Sequence, residues 1–207
     1  MKTRIELDPG MARLPSPDKT PRVALGNDIR LAAGIGNAGS TDLVIEDPKT
    51  TQLLTVHVKS PQDTGETSFL LNPSNVDALG EMTAPPRSDA TIKPESYAPF
   101  RISLYKHMLD KCLSEGPYSI AFSYGDFRST PVTLTAEFAP ASVKPLLAIL
   151  EDTGKDMWVR KEAYKWLRKA KPDFAYDFAK PDLGAFTTWW ESEKERPDLE
   201  ARFRALH

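Results

Sequence analysis

Two alternating segments near the middle of the chain most constrain what it can fold into. Large apolar side chains recur at every second position from Tyr118 to Tyr124, and the alternation returns from Val132 to Phe138. A period of two is typical of strands that bury one face. A short polar connection that begins at Gly125 separates the segments, as in a hairpin loop. The sequence therefore predicts an antiparallel hairpin that closes a sheet at about residue 138.

Shorter strand patterns precede this hairpin, with turn residues between them. They are Arg4–Leu7, Ile29–Ile35, Asp42–Glu46, Leu53–Val58, Phe69–Leu71, Thr91–Ile92 and Phe100–Leu104. A helical turn is predicted at Asn75–Leu79, inside a loop-like segment from Asn72 to Pro86. So many short strands before the helices predict an antiparallel β-sandwich.

The apolar spacing becomes helical after Ser142, which is predicted to cap a first helix. The buried stripe of that helix is predicted to be Val143, Leu146, Leu147 and Leu150. Asp156 is predicted to cap a second helix, Met157–Ala170, and Asp182 a third. A last helix is predicted at about residues 199–206. The chain is thus divided into an N-terminal strand or arm (1–24), a β-sandwich (25–140) and a helical domain (141–207).

Composition narrows the functional classes. The formal net charge is −2 over 207 residues, which argues against a basic surface covering the whole chain, as nucleic-acid binding would favour. With a single cysteine, Cys112, the chain cannot form an internal disulfide. This is expected of a protein in a reducing compartment, or of an exported fold that needs no disulfide. The N-terminus lacks the apolar core of a signal peptide, and no apolar run is long enough to span a membrane. We therefore expect a soluble, cytoplasmic protein.

Three segments carry a family resemblance. They are Phe100–Leu104, Gly116–Ile120 and Ser129–Val132. Together they resemble the closing strands of bacterial immunoglobulin-like modules, and are similar to intracellular proteinase-inhibitor and adhesion-type sandwiches. Tyr118 stands where such folds place a tyrosine-corner residue, so the resemblance implies a buried ring and a hydroxyl bonded to backbone.

The helical part resembles another bacterial element. Val159–Leu167, Phe174–Asp177 and Trp189-Trp190 look like a HEAT-like terminal repeat, although Ala175 departs from its glycine. One repeat pair is too short to enclose its own core. We therefore expect these helices to pack on the sandwich, on each other or on a partner chain.

No catalytic or metal motif stands out. His107, Asp110 and Cys112 fall short of a metal-ligand set, and Cys112 is interpreted as a packing residue rather than a nucleophile. The segment Gly34–Gly39 has the letters of a dinucleotide fingerprint, but a strand pattern follows it where a helix is required. We expect no cofactor and no metal.

Charge divides the helical part into two halves. Lys155–Lys171 is basic, and Asp173–Glu200 is acidic. The basic half could bind nucleic acid or an anionic membrane, or be a solvated face offset by the acidic half. The near-cancellation favours the offset, so neither nucleic-acid binding nor membrane insertion is expected.

These patterns favour a non-catalytic protein-binding or scaffold module whose oligomeric state stays open. Trp158 and Trp189 fall outside the apolar stripes and, with Arg160, Lys161 and Lys165, are the predicted partner-binding residues. The alternatives are an enzyme inhibitor or regulator acting through the loop 72–86 or 106–115, and an enzyme with a site at the domain junction.

Overall fold

The computed structural model describes residues 1–7, 11, 13–15, 20–46, 54–70, 76–78, 89–107 and 113–206. The strands come first in the chain, and all described α-helices except the short Leu104–His107 follow the last strand. The strands are β1 (Lys2–Leu7), β2 (Arg22–Ala24), β3 (Arg30–Gly36), β4 (Leu43–Glu46), β5 (Leu54–Lys59), β6 (Thr67–Leu70), β7 (Val76–Ala78), β8 (Asp89–Ile92), β9 (Tyr97–Ser103), β10 (Gly116–Tyr124), β11 (Phe127–Arg128) and β12 (Val132–Glu137). The helices are α1 (Leu104–His107), α2 (Val143–Glu151), α3 (Met157–Ala170), α4 (Gly184–Glu193) and α5 (Leu199–Arg204).

The strands form two main sheets. The first has the order β1-β3-β9-β7, and the second has the order β2-β12-β10-β5-β6, with β11 pairing beside β10. β4 and β8 form a separate two-stranded ribbon. All pairings are antiparallel except that of β2 with β12. Apolar side chains of both main sheets, among them Leu31, Ile102, Val56 and Phe122, belong to one hydrophobic cluster.

The predicted hairpin is confirmed. β10 and β12 pair from Gly116↔Ala136 to Ile120↔Val132. The large alternating side chains of β10 are buried, as the period of two requires, and the ring of Tyr118 is 1% exposed. Its hydroxyl donates to Ser114 O at 2.7 Å, so the predicted burial and backbone hydrogen bond of this residue are also confirmed.

Two predictions about strands are corrected. Val76–Ala78 lies within the predicted helical turn but forms β7, because the free edge of β9 offers its backbone groups a ladder. The rest of that turn lies outside the described residues. β2 lies in the segment 1–24 that was predicted to hold only one strand, and it adds a parallel strand to the edge of β12.

The glycines at the end of β3 serve close packing rather than a cofactor. A β-carbon at Gly36 would lie 2.6 Å from Tyr97 Cε1, so the tyrosine ring occupies the space that a side chain would need. The chain then continues to β4 and not to a helix, which agrees with the exclusion of a dinucleotide site.

A second hydrophobic cluster lies among the helices and includes residues of the sheet region. Phe138 packs on Trp166 with ring centroids 5.4 Å apart, and Trp166 Nε1 donates to Leu113 O at 2.9 Å. Ser142 does not cap α2 with its side chain; its hydroxyl instead accepts from Ala139 N–H at 3.1 Å and closes a 3-10 turn (Pro140–Ser142). The stripe of α2 is as predicted except that Leu147 is half-buried and Ile149 is buried.

Candidate functional site

The exposed face of α3 brings together three of the predicted partner-binding residues. Trp158, Lys161 and Lys165 lie on successive turns, since residues three and four apart share a helix face, and Arg168 extends the row. We call these four residues the α3 stripe. Trp158 is 52% exposed and its neighbour Met157 is 46% exposed. The opposite face packs on the core through Val159, Ala163, Trp166 and Leu167.

The positive charge of the α3 stripe is only partly offset. Lys165 pairs with Glu162 at 3.4 Å on the same helix. Arg168 contacts Pro172 O at 3.4 Å, and its guanidinium lies 5.9 Å from the Tyr164 ring centroid. Lys161 has no ion pair among the described residues. Because water screens exposed ion pairs, the stripe remains cationic.

Two acidic residues in the following segment, Glu193 and Asp198, are paired with arginines close to them in the chain. Glu193 accepts from Arg196 and Arg202, and Arg196 also pairs with Asp198 at 3.2 Å. The hydrogen bond from Arg202 holds the pKa of Glu193 below its ordinary value, and the bond from Arg196 does the same for the pKa of Asp198. None of these ion pairs joins α3 to α4 or α5. Between the two halves the described residues show a direct ion pair at the boundary, where Lys171 Nζ lies 2.7 Å from Asp173 Oδ1, so direct pairing offsets little of the charge of α3.

Arg160 does not belong to the exposed surface, and this prediction is corrected. The residue is 4% exposed. Its Nε donates to Leu150 O at 2.9 Å, and its Nη2 donates to Tyr176 Oη at 3.3 Å. The guanidinium also lies 5.5 Å from the Phe178 ring centroid. The planar group, with its several donors, satisfies these neutral partners at once and joins α2 to the segment after α3.

Trp189 occupies a different place from the α3 stripe. It lies on α4, is half-buried and packs edge-on against Phe186 with centroids 5.1 Å apart. Among the described residues, it shares no hydrogen bond or ring contact with the stripe. Trp190 is also half-buried, with its ring centroid 6.2 Å from that of Phe203.

A second polar cluster lies on the outer face of the second sheet and was not predicted from the sequence. His57 faces away from the core, as its alternation with Val56 and Val58 predicts. Ser68 lies directly opposite His57 on β6, and Ser123 lies diagonally across on β10. His57 Nδ1 is 2.8 Å from Ser68 Oγ, and His57 Nε2 is 2.9 Å from Ser123 Oγ.

Two charged residues complete this cluster. Glu66 Oε1 lies 3.3 Å from His57 Nδ1, and both carboxylate oxygens accept hydrogen bonds from Arg128. The hydrogen bond from Arg128 lowers the pKa of Glu66. Burial lowers the pKa of His57, the charge of Arg128 lowers it further, and the charge of Glu66 opposes both effects. At neutral pH the cluster therefore contains an ionised carboxylate beside a neutral imidazole.

The remaining candidates fall largely outside the described residues. Of the two loops considered for an inhibitor, residues 76–78, 106–107 and 113–115 are described. His107 ends α1, whereas Asp110 and Cys112 lie outside the described residues. In the part of the chain that the structure describes, no group of three His, Cys, Asp or Glu side chains is arranged to hold a metal ion. No helix found there is long and apolar enough to cross a membrane.

Comparisons with known proteins give no family for this chain. No protein-family model matches it, and no curated protein matches it. Its structure is similar to a β-glucosidase from Listeria innocua in complex with gluconolactone, with a TM-score of 0.33 and 10% identity. The complex of a Listeria innocua β-glucosidase with glucose gives a TM-score of 0.29 and 9% identity. In both comparisons the similarity covers 65% of this chain and 16% of the glucosidase chain. Such likenesses assign neither a fold family nor an activity.

Proposed function

We propose that this chain is a protein-binding module, in which an immunoglobulin-like β-sandwich carries a HEAT-like helical segment. The α3 stripe binds an acidic surface of a partner protein. The observation that carries this proposal is the exposure of Trp158 beside a row of cations on the face of α3 that the core does not use.

Trp158 is the apolar part of this surface. Water surrounds half of its indole ring, and the helix would fold as well with a polar residue at this position. Tryptophan is enriched at the energetic centres of protein interfaces, where it buries a large rigid area at a small entropic cost. Met157 beside it is a flexible apolar side chain that adapts to an irregular partner surface.

Lys161, Lys165 and Arg168 give the surface its charge preference. A partner that offers carboxylates opposite this row gains association rate and orientation more than raw affinity. A protein partner is favoured over nucleic acid because the row is short and Glu162 lies within it. The net charge of the whole chain, −2, would also repel a long polyanion.

The test compares which proteins are captured by the wild-type chain, by variants of the α3 stripe and by a matched control variant. The immobilised 207-residue chain is exposed to nuclease-treated extract, and bound proteins are identified by mass spectrometry. Lys161→Glu/Lys165→Glu and, separately, Trp158→Ala should lose a protein that the wild type retains. Lys144→Glu changes an exposed lysine on α2 and should retain it.

The captured partner is then purified, and its affinity is measured at two salt concentrations. We expect the charge-reversal pair to weaken binding at least 10-fold, with a smaller loss at high salt because salt screens the contacts. A partner that all variants bind equally would refute the α3 stripe as the binding surface. A protein that is captured from untreated extract but not from nuclease-treated extract would show that the stripe binds nucleic acid instead.

A further inference from the structure

We propose that Ser123 is an activated nucleophile, with His57 as its general base and Glu66 as the residue that positions the histidine, and that it reacts with small activated esters. The three side chains form a continuous row on the outer face of the second sheet: Ser123 Oγ is 2.9 Å from His57 Nε2, and His57 Nδ1 is 3.3 Å from Glu66 Oε1. A nucleophile within hydrogen-bond reach of a base that a third group orients is the arrangement of serine hydrolases, which is recognised by geometry and not by sequence order. This inference concerns strands β5, β6, β10 and β11 and does not rest on the α3 stripe.

The tautomer of His57 follows from its neighbours. An ionised Glu66 beside Nδ1 favours a proton on that nitrogen, because a bare lone pair would face the carboxylate. The same proton is within reach of Ser68 Oγ, which lies 2.8 Å from Nδ1. Nε2 is then an acceptor, so the proton between Nε2 and Ser123 is the serine's own. Nε2 can therefore accept the hydroxyl proton of Ser123, as a general base must.

Arg128 meets two further requirements of the proposed site. It binds both oxygens of Glu66 and so fixes the carboxylate beside the histidine. It is also the residue directly opposite Ser123 in the pairing of β10 with β11, so its positive charge stands on the same face as the hydroxyl. A cation at this position stabilises the negative oxygen that develops when the serine attacks a carbonyl or phosphoryl group.

Access to Ser123 limits the substrate class. The serine is 9% exposed, and the imidazole of His57 is 15% exposed, so only the edge of the pair meets solvent. This limited access favours small acyl groups with a good leaving group. In the step proposed, the Ser123 oxygen bonds to the acyl carbon, the leaving alkoxide departs, and His57 transfers the serine proton to it. Water then attacks the acyl-serine, releases the acid and restores the hydroxyl.

A fluorophosphonate probe tests this activation directly. In the labelling reaction the Ser123 oxygen bonds to phosphorus, fluoride leaves, and His57 takes up the hydroxyl proton. The full chain is incubated with the probe, and the modified residue is identified by peptide mass spectrometry. We expect one adduct per chain, at Ser123. Ser123→Ala should abolish it. Ser119→Ala, on the same strand and the same sheet face, should not change it.

Two further variants test the roles of the neighbours. His57→Gln should slow labelling about 100-fold, which is the low end of what a general base contributes. Glu66→Gln removes the charge that opposes Arg128, so the pH of half-maximal labelling should fall. The described charged groups on this face are Glu66, Arg128 and Lys59 near the histidine, and the ion pair of Arg22 with Glu137 on β2 and β12; all but Glu66 are unchanged in that variant.

Circular dichroism of each variant confirms that the fold is intact before rates are compared. A folded wild-type chain that gains no adduct at Ser123 would overturn the proposal. Labelling of His57→Gln at the wild-type rate would do the same. A pH midpoint that does not move in Glu66→Gln would remove Glu66 from its positioning role.

Discussion

Truncation of Trp166 measures how strongly the helices are held to the sheet region. The indole is 8% exposed and packs on Phe138 with ring centroids 5.4 Å apart. Its Nε1 donates to the carbonyl of Leu113 at 2.9 Å. Both partners precede the helical segment in the chain, so this one side chain joins the two regions by packing and by a hydrogen bond.

The expected cost has two parts. Trp166→Ala removes a large buried aromatic side chain, which costs about 3–5 kcal/mol. It also leaves the buried carbonyl of Leu113 without its donor, a loss in the range of about 1–3 kcal/mol. Trp166→Phe keeps much of the ring contact with Phe138 and loses the donor. We therefore expect the phenylalanine variant to lose about 1–3 kcal/mol and the alanine variant clearly more.

Urea unfolding followed by far-ultraviolet circular dichroism gives these free energies of unfolding. Trp158→Ala is the matched control, because this tryptophan on the same helix is 52% exposed, and it should cost no more than about 0.5 kcal/mol. Equal stabilities of Trp166→Ala and Trp158→Ala would refute the assignment of Trp166 as the joining residue. A phenylalanine variant as unstable as the alanine variant would show that the hydrogen bond, rather than the ring contact, dominates.

Three further outcomes are expected. Tyr118→Phe leaves the buried carbonyl of Ser114 without its donor and should lower the free energy of unfolding by about 1–3 kcal/mol. Tyr118→Ala should lower it by about 3–5 kcal/mol in the same urea assay. An unchanged urea midpoint for Tyr118→Ala would contradict the buried position. In Arg160→Lys the ammonium group cannot reach both acceptors, so the free energy of unfolding should fall by at least about 1.5 kcal/mol, the low end for one hydrogen bond to a charged group. An unchanged free energy of unfolding would show that the forked guanidinium is not needed. Because burial and then Arg128 lower the pKa of His57 in the fold, the unfolded chain binds more protons, and stability should fall as the pH drops below about 6.5 towards the folded pKa. Unfolding at a series of pH values should show this slope, and the slope should flatten in His57→Gln.

The hairpin β10–β12 could be predicted from the sequence because both strands alternate large apolar and small polar residues over their whole length. β7 could not, since three residues carry no period that distinguishes a strand from a helical turn. Its pairing depends on the edge of β9, which is distant in the sequence.

Arg160 shows a different kind of failure. It lies three residues before Ala163 and seven before Leu167, which is the spacing of the buried stripe. The prediction grouped it with the basic residues of Lys155–Lys171, and arginine is almost never fully buried unless it is paired. The acceptors that satisfy its guanidinium come from the end of α2 and from Tyr176, and local sequence does not reveal them.

The row of Ser123, His57 and Glu66 was not predicted from the sequence. The alternation of His57 with Val56 and Val58 indicates only that its side chain lies on the outer face of its strand. The contacts of its two nitrogens depend on the register among β5, β6 and β10, and this register is fixed by core packing on the other face of the sheet. A search for serine and histidine at a fixed sequence spacing would therefore miss the row.

The hydrophobic cluster around the helices limits how these helices can be transferred to another protein. Leu25, Leu113 and Phe138 precede the helical segment, yet they belong to its hydrophobic cluster. A fragment that ends at residue 140 would expose these three side chains to water, and a fragment that begins at residue 141 would lack the apolar surface on which Trp166 rests. A transplanted helical segment would thus need replacements for three side chains that come from three separate parts of the chain.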